Sequence, residues 1–218
     1  MKTQLKRPYI SVQRGGVHSY GGNQAWCKEK YRQESACGLI SAVDLLLYVE
    51  RKPEEPLSEE EYLRITKGLG HRYFPVIPKV GMIGWSVAFG LNAYFCLHGI
   101  ALRASWGVRP KRLWERMEEM LEADIPVILT IGPNFPFRWS GHKLNLYTRG
   151  VEGTYRAACK VSGHYVNVTG MEEEWLRISS WGREYYVRRA EYTDYVRKYS
   201  NYLVCNLVSI QKKRRRKV

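Results

Sequence analysis

Apolar positions in the first half of the chain recur at helical spacing, and those in the second half alternate. Leu39, Ile40, Val43, Leu46 and Leu47 follow the i, i+1, i+4, i+7, i+8 pattern, which predicts a core helix with one buried stripe, opened by Cys37. The charged tail Glu50-Arg51-Lys52-Pro53 ends that helix before a proline. Ser58-Glu59-Glu60-Glu61 is a capping-box pattern and predicts a short helix stopping near Gly68 or Gly70. A third, apolar helix is expected around 82–97. A fourth spans 110–123, begun by Pro110 and striped by Leu113, Trp114, Met117, Met120 and Leu121.

The pattern changes at Ile125. The β-branched run to Ile131, closed by Gly132-Pro133, predicts a strand, and further strands are expected at 164–169, 175–179, 184–188 and 202–210. In the first of these, His164, Val166 and Val168 share one face and Tyr165, Asn167 and Thr169 the other. Helices first and strands afterwards predict an α+β fold, a helical N-terminal half packed on an antiparallel β-sheet from the C-terminal half. One domain is expected over 31–210, with its helical part at 31–123 and its sheet part at 124–210. An irregular, glycine-rich arm (1–30) precedes it and a basic tail (211–218) follows.

Charge adds a second theme. The net charge is +14, of which the run 212–217 carries six, leaving +8 on the body. A basic body favours acidic partners: an acidic peptide, nucleic acid or an anionic surface. No zinc-finger, helix-turn-helix or aromatic RNA-binding pattern accompanies the charge. The segment from Val80 to Ile100 lacks Asp, Glu, Lys and Arg, but its glycines, Asn92 and His98 predict a buried helix and no membrane span. Five unpaired-looking cysteines and an N-terminus without a signal-peptide core fit a reducing, cytoplasmic setting. Neither Cys-x-x-Cys nor His-x-x-x-His occurs, so no metal or cofactor is expected.

Candidate chemistry centres on Cys37. The first turn of a helix offers unpaired N–H groups and the positive dipole end, which favour a thiolate and can cradle an oxyanion. Gly38 allows another segment close approach. The segment Tyr31-Arg32-Gln33-Glu34-Ser35-Ala36-Cys37-Gly38-Leu39-Ile40-Ser41-Ala42 resembles the nucleophile region of papain-like cysteine peptidases, nearest the branch that includes bacteriocin-leader (double-glycine) peptidase domains. That resemblance implies a papain-like fold, with Cys37 as nucleophile and Gln33 as oxyanion donor. Gln33 stands four residues before Cys37, closer than the family's spacing, which leaves Gln24 or a backbone group as alternatives.

The base must come from elsewhere in the fold. Gly163-His164, an alternating strand and Gly170 match the family's Gly-His strand, and Leu176-Arg177-Ile178-Ser179-Ser180-Trp181-Gly182 resembles its next strand. His142, also preceded by glycine, lacks that downstream partner. By resemblance His164 is the base, and Ser179 occupies the position of the Asn or Asp that orients it; Ser180 is the neighbouring alternative. A hydroxyl can accept the ring N–H but brings no negative charge. The expected activity is peptide or amide hydrolysis through an acyl-enzyme, with His164 holding Cys37 as a thiolate and Trp181 shielding the pair. The alternatives are an acyltransferase, a catalytically weakened papain-like scaffold, or a nucleic-acid or anionic-surface binder using the basic tail.

Overall fold

The computed structural model describes residues 3–50, 56–136 and 141–213. The end of the first helix's charged tail and most of the basic tail lie outside the described residues. What is described is an α+β chain built on a mostly antiparallel sheet.

Helix α2 (Cys37–Glu50) is the organising element. Every residue from Gly38 to Tyr48 is buried, so the predicted single stripe understates it: the helix is enclosed on all sides. It lies between α3 (Glu59–Arg72), α4 (Gly84–Leu97) and the sheet strands β6 (Val127–Ile131) and β9 (His164–Met171). A helix apolar around its whole circumference gains nothing from solvent and is stable only when covered. The Ser58 hydroxyl caps α3 by accepting the Glu61 N–H at 3.2 Å, as the capping pattern predicts. The helix then runs past Gly68 and Gly70 to Arg72, since packing of Tyr62, Thr66 and Gly70 outweighs the cost of two glycines.

Helix α4 is not buried all round. Val87, Ala88, Leu91, Tyr94 and Phe95 face inward, while Trp85 and Phe89 stand 57% and 76% exposed on the other side. No helix of the described residues is long and apolar enough to cross a membrane. Residues 110–123 divide into a 3₁₀ turn, Pro110–Arg112, and α5 (Leu113–Glu122).

In the sheet, β9 is central. It pairs with β10 (Trp175–Ser180) on one side, and on the other with β6 near its start and β1 (Thr3–Gln4) near its end. Beyond β10 the order continues through β11 (Arg183–Arg188) and β7 (Leu144–Arg149) to β8 (Tyr155–Val161). The division into a helical half and a sheet half is therefore crossed in three places. The arm contributes β1 to the sheet, and β2 (Val12–Arg14) pairs with β3 (Val17–His18) and β4 (Leu57–Ser58). Strand β5 (Leu102–Trp106) lies inside the helical part and pairs with β12 (Val208–Lys212). Helix α6 (Arg189–Tyr199) falls inside the sheet part, tied to β6 and the residue after it through Tyr192 Oη to the Thr130 carbonyl (3.0 Å) and Tyr195 Oη to the Gly132 carbonyl (2.7 Å). Of the expected strand 202–210, only the end is extended.

The arm is anchored. Leu5 N donates to the Thr169 carbonyl, and Gly21 N to that of Ile10 at 2.7 Å. Gly21 has φ +80°, and a Cβ there would stand 2.3 Å from Ser179 Oγ and 2.6 Å from Asp44 Oδ2. Gly21→Ala combines left-handed strain with a clash against buried polar atoms, so it is expected to destabilise the chain by about 2 kcal/mol or more, read as a lower urea midpoint.

Candidate active site

Helix α1 (Lys30–Ser35) ends one residue before α2 begins. Ala36 joins them, and its carbonyl accepts the first bond of α2 from Ile40 N at 2.9 Å. The first-turn N–H groups of α2 thus lack acceptors within the helix, and Cys37 sits among them. Gly38 has no room for a larger residue: a Cβ would stand 3.3 Å from Met82 Cβ and 3.5 Å from Tyr165 Cδ2. This close approach brings the start of β9 against the mouth of α2. The backbone N–H groups of Tyr165, Gly38 and Cys37 itself donate toward the sulfur.

Those donors favour a thiolate, but dense packing opposes it more strongly. Burial pushes the Cys37 thiol above its ordinary value. His164, 8% exposed at the head of β9, is pulled by burial from 6.5 down to about 4. Burial thus favours the neutral form of both groups. The N–H donors act the other way, toward the thiolate expected from helix position.

The imidazole is held on two sides. Its Nε2 lies 2.7 Å from Ser180 Oγ, and its ring stacks on Trp181 with centroids 4.5 Å apart and planes 26° apart. The serine that meets the ring is thus Ser180, the neighbour of the expected Ser179. Strand register explains the difference. Ser179 is paired with Asn167, which faces α2, and its hydroxyl donates to the Tyr20 carbonyl at 2.8 Å. One residue further along, Ser180 emerges on the opposite face, the one His164 shares.

Trp181 is placed by a tight turn. Trp181 and Gly182 link β10 to β11 with φ of +50° and +72°, a left-handed pair unusual for a tryptophan. The arm clamps this turn, with Asn23 Nδ2 donating to the Trp181 carbonyl (3.0 Å) and Tyr20 N to that of Gly182 (2.9 Å).

Cys37, His164, Tyr165, Ser179, Ser180 and Trp181 line one cleft of about 260 Å³, its open mouth included. Gln33 does not. It is exposed on α1, and its Nε2 donates to the Cys27 carbonyl at 2.7 Å. Gln24, in the short 3₁₀ turn Gln24–Trp26, lines the cleft instead, steadied by a bond from its Nε2 to the Gln33 carbonyl (2.7 Å). His142 stacks on Tyr199 at 3.7 Å and is not among the lining residues.

Two polar residues at the cleft's inner end were not anticipated. Asp44 is 1% exposed, accepting from Gly22 N at 2.9 Å and Tyr62 Oη at 2.7 Å. Asn167 donates to Tyr9 Oη and to the Ser41 carbonyl. A signal for Asp44 was present: it is the single charged residue between Cys37 and Tyr48, and it lies seven positions, two helical turns, beyond the cysteine. Burial raises its carboxyl from 3.8 to about 6, against the lowering effect of its three donors, Gly22 N–H and the Tyr62 and Tyr9 hydroxyls. In comparison with known proteins, no family model, no curated protein and no solved structure matches this chain.

These shifts have opposite consequences for stability. The folded-state pKa of His164 lies below its ordinary 6.5, so on acidification the unfolded chain binds that proton first and stability is lost from pH 6.5 down to about 4. Asp44, raised from 3.8 to about 6, does the reverse and adds stability as pH falls through 6 toward 3.8. His164→Gln removes the first contribution. Relative to wild type the variant should gain about 2–3 kcal/mol between about pH 7 and about pH 4.5, measured by urea denaturation at the two pH values.

Proposed function

We propose that the chain is a cysteine-dependent acyl-transfer enzyme of papain-like type, nearest the bacteriocin-leader peptidase branch, hydrolysing a peptide or other amide substrate. The observation that carries this reading is the cleft shared by Cys37 and His164. They come from a helix mouth in one half and a strand start in the other, and they line one cleft in which Ser180 and Trp181 fix the imidazole.

With Nε2 carrying the proton toward Ser180 Oγ, Nδ1 is bare and able to act as a base. Because burial favours the neutral form of both partners, thiol deprotonation accompanies attack: the Cys37 sulfur bonds to the carbonyl carbon as its proton passes to Nδ1. The developing oxyanion is met by the Cys37 N–H and the Gln24 side chain. The C–N bond then breaks as the imidazolium returns the proton to the leaving amine. Water, deprotonated by the same ring, cleaves the thioester and releases the acid. An amine in place of water gives a transferase. A serine orienter suits this chemistry better than it would suit a serine nucleophile, since a thiol is the more acidic. The positively charged body favours an acidic substrate.

Iodoacetamide near neutral pH should modify Cys37 faster than the exposed Cys96, read by peptide mapping, and Cys37→Ala should abolish hydrolysis of an activated ester; hydrolysis that survives in the variant removes the nucleophile assignment. Ser180→Ala should keep Cys37 labelled but slow it about 10-fold, since the ring loses its orienting bond. If this variant instead lost all ester hydrolysis while Cys37 labelling stayed at the wild-type rate, Ser180 would be the nucleophile. For the oxyanion donor, Gln24→Ala should lower kcat on an activated ester about 100-fold with little change in KM, whereas Gln33→Ala should leave both near wild type.

A further inference from the structure

A site of this kind turns an imidazole into an imidazolium during attack, and the serines beside the ring carry no charge to stabilise it. The cleft does contain one carboxylate. Cys37, Ile40, Ser41 and Asp44 form a single face of α2, and all four line the cleft with His164. Asp44 is enclosed by neutral donors: Gly22 N–H from the arm, Tyr62 from α3, and Tyr9, whose hydroxyl also accepts from Asn167 Nδ2 on β9. The arm is shaped to allow this. Glycine at 21 leaves room for both Asp44 Oδ2 and Ser179 Oγ, and a Cβ at 22 would fall 1.8 Å from Tyr62 Oη.

We propose that Asp44 is the positioning carboxylate of this site, its negative charge acting across the cleft to favour the protonated form of His164 as acyl transfer begins. The inference rests on the acyl-transfer reading above. In place of a charged partner bonded to the ring, the chain places the charge on the nucleophile's own helix, two turns in, and gives the ring a neutral hydroxyl. The proton balance is unchanged: the Cys37 proton moves to Nδ1, Nε2–H stays on Ser180, and Asp44 exchanges no proton. The titratable groups in contact with Asp44 are Tyr62 and Tyr9, and Cys37 and His164 line the same cleft. Only the carboxyl changes charge near pH 6, with the two hydroxyls and the thiol raised and the imidazole lowered.

The test is the rate of Cys37 alkylation by iodoacetamide in the full chain, comparing wild type with Asp44→Asn from about pH 5 to about pH 8.5. The asparagine keeps the shape and can still bond to Gly22 N–H and Tyr62 Oη. The ratio of wild-type to variant rate should be near one at the acid end, where Asp44 is protonated. It should rise through pH 6 and level at about tenfold, one pKa unit of lost imidazolium stabilisation. A flat ratio, or a faster variant above pH 6, overturns the role of Asp44. Tyr62→Phe provides a second arm if the asparagine variant does not fold. Loss of one donor to the carboxylate should move the acid limb of the rate profile to higher pH, and an unmoved limb counts against the proposal. Hydrolysis of an activated ester by wild type and Cys37→Ala separates the two readings. If Cys37→Ala abolishes hydrolysis while the Asp44→Asn ratio stays flat, only the carboxylate's role fails. Ester hydrolysis that survives Cys37→Ala ends both.

Discussion

The molecule depends on the burial of α2. A helix whose eleven consecutive residues from Gly38 to Tyr48 are shielded has no solvent face, so helices must cover it on one side and the sheet on the other. This enclosure brings two distant parts of the chain together. The helix opens onto the head of β9, where Gly38 lets Tyr165 and Met82 pack against the first turn. The cleft forms at that junction, and Cys37 and His164 reach it from opposite sides. The placing of these two side chains is a by-product of the packing that stabilises the fold.

The same enclosure sets the electrostatics. Removing water raises the cost of every charge, so the thiol, imidazole and carboxyl around the cleft all shift toward their neutral forms. For Asp44 three hydrogen bonds work against burial, and its carboxyl rises to about 6. The cleft then holds one carboxylate beside a thiol and a ring that burial pushes toward their neutral forms.

Precision at the ring comes from strain held in place. A tryptophan at φ +50° costs on the order of 1 kcal/mol relative to an extended residue. The β10–β11 register and two hydrogen bonds from the arm keep it there, so its indole stays over His164. The arm, with few long elements of its own, thereby contributes Gln24 to the cleft, donates to the Trp181 and Gly182 carbonyls, and leaves space for Asp44.

The apolar run after Cys37, the cap at Ser58 and the alternation from His164 were legible in the chain, because each is set by neighbours within a few positions. They determined that a cysteine would open a core helix, that a histidine would open a strand, and that the class would be α+β. Helix α6 was present as a stripe of Tyr192, Tyr195, Val196 and Tyr199, but tyrosine in a charged context reads ambiguously until its hydroxyls meet β6 and Gly132. Which serine meets the imidazole, which glutamine reaches the cleft and whether the thiol is ionised were decided only by the tertiary structure. One step of strand register, the path of a glycine-rich arm and the exclusion of water are properties of how segments pack, and no local pattern encodes them.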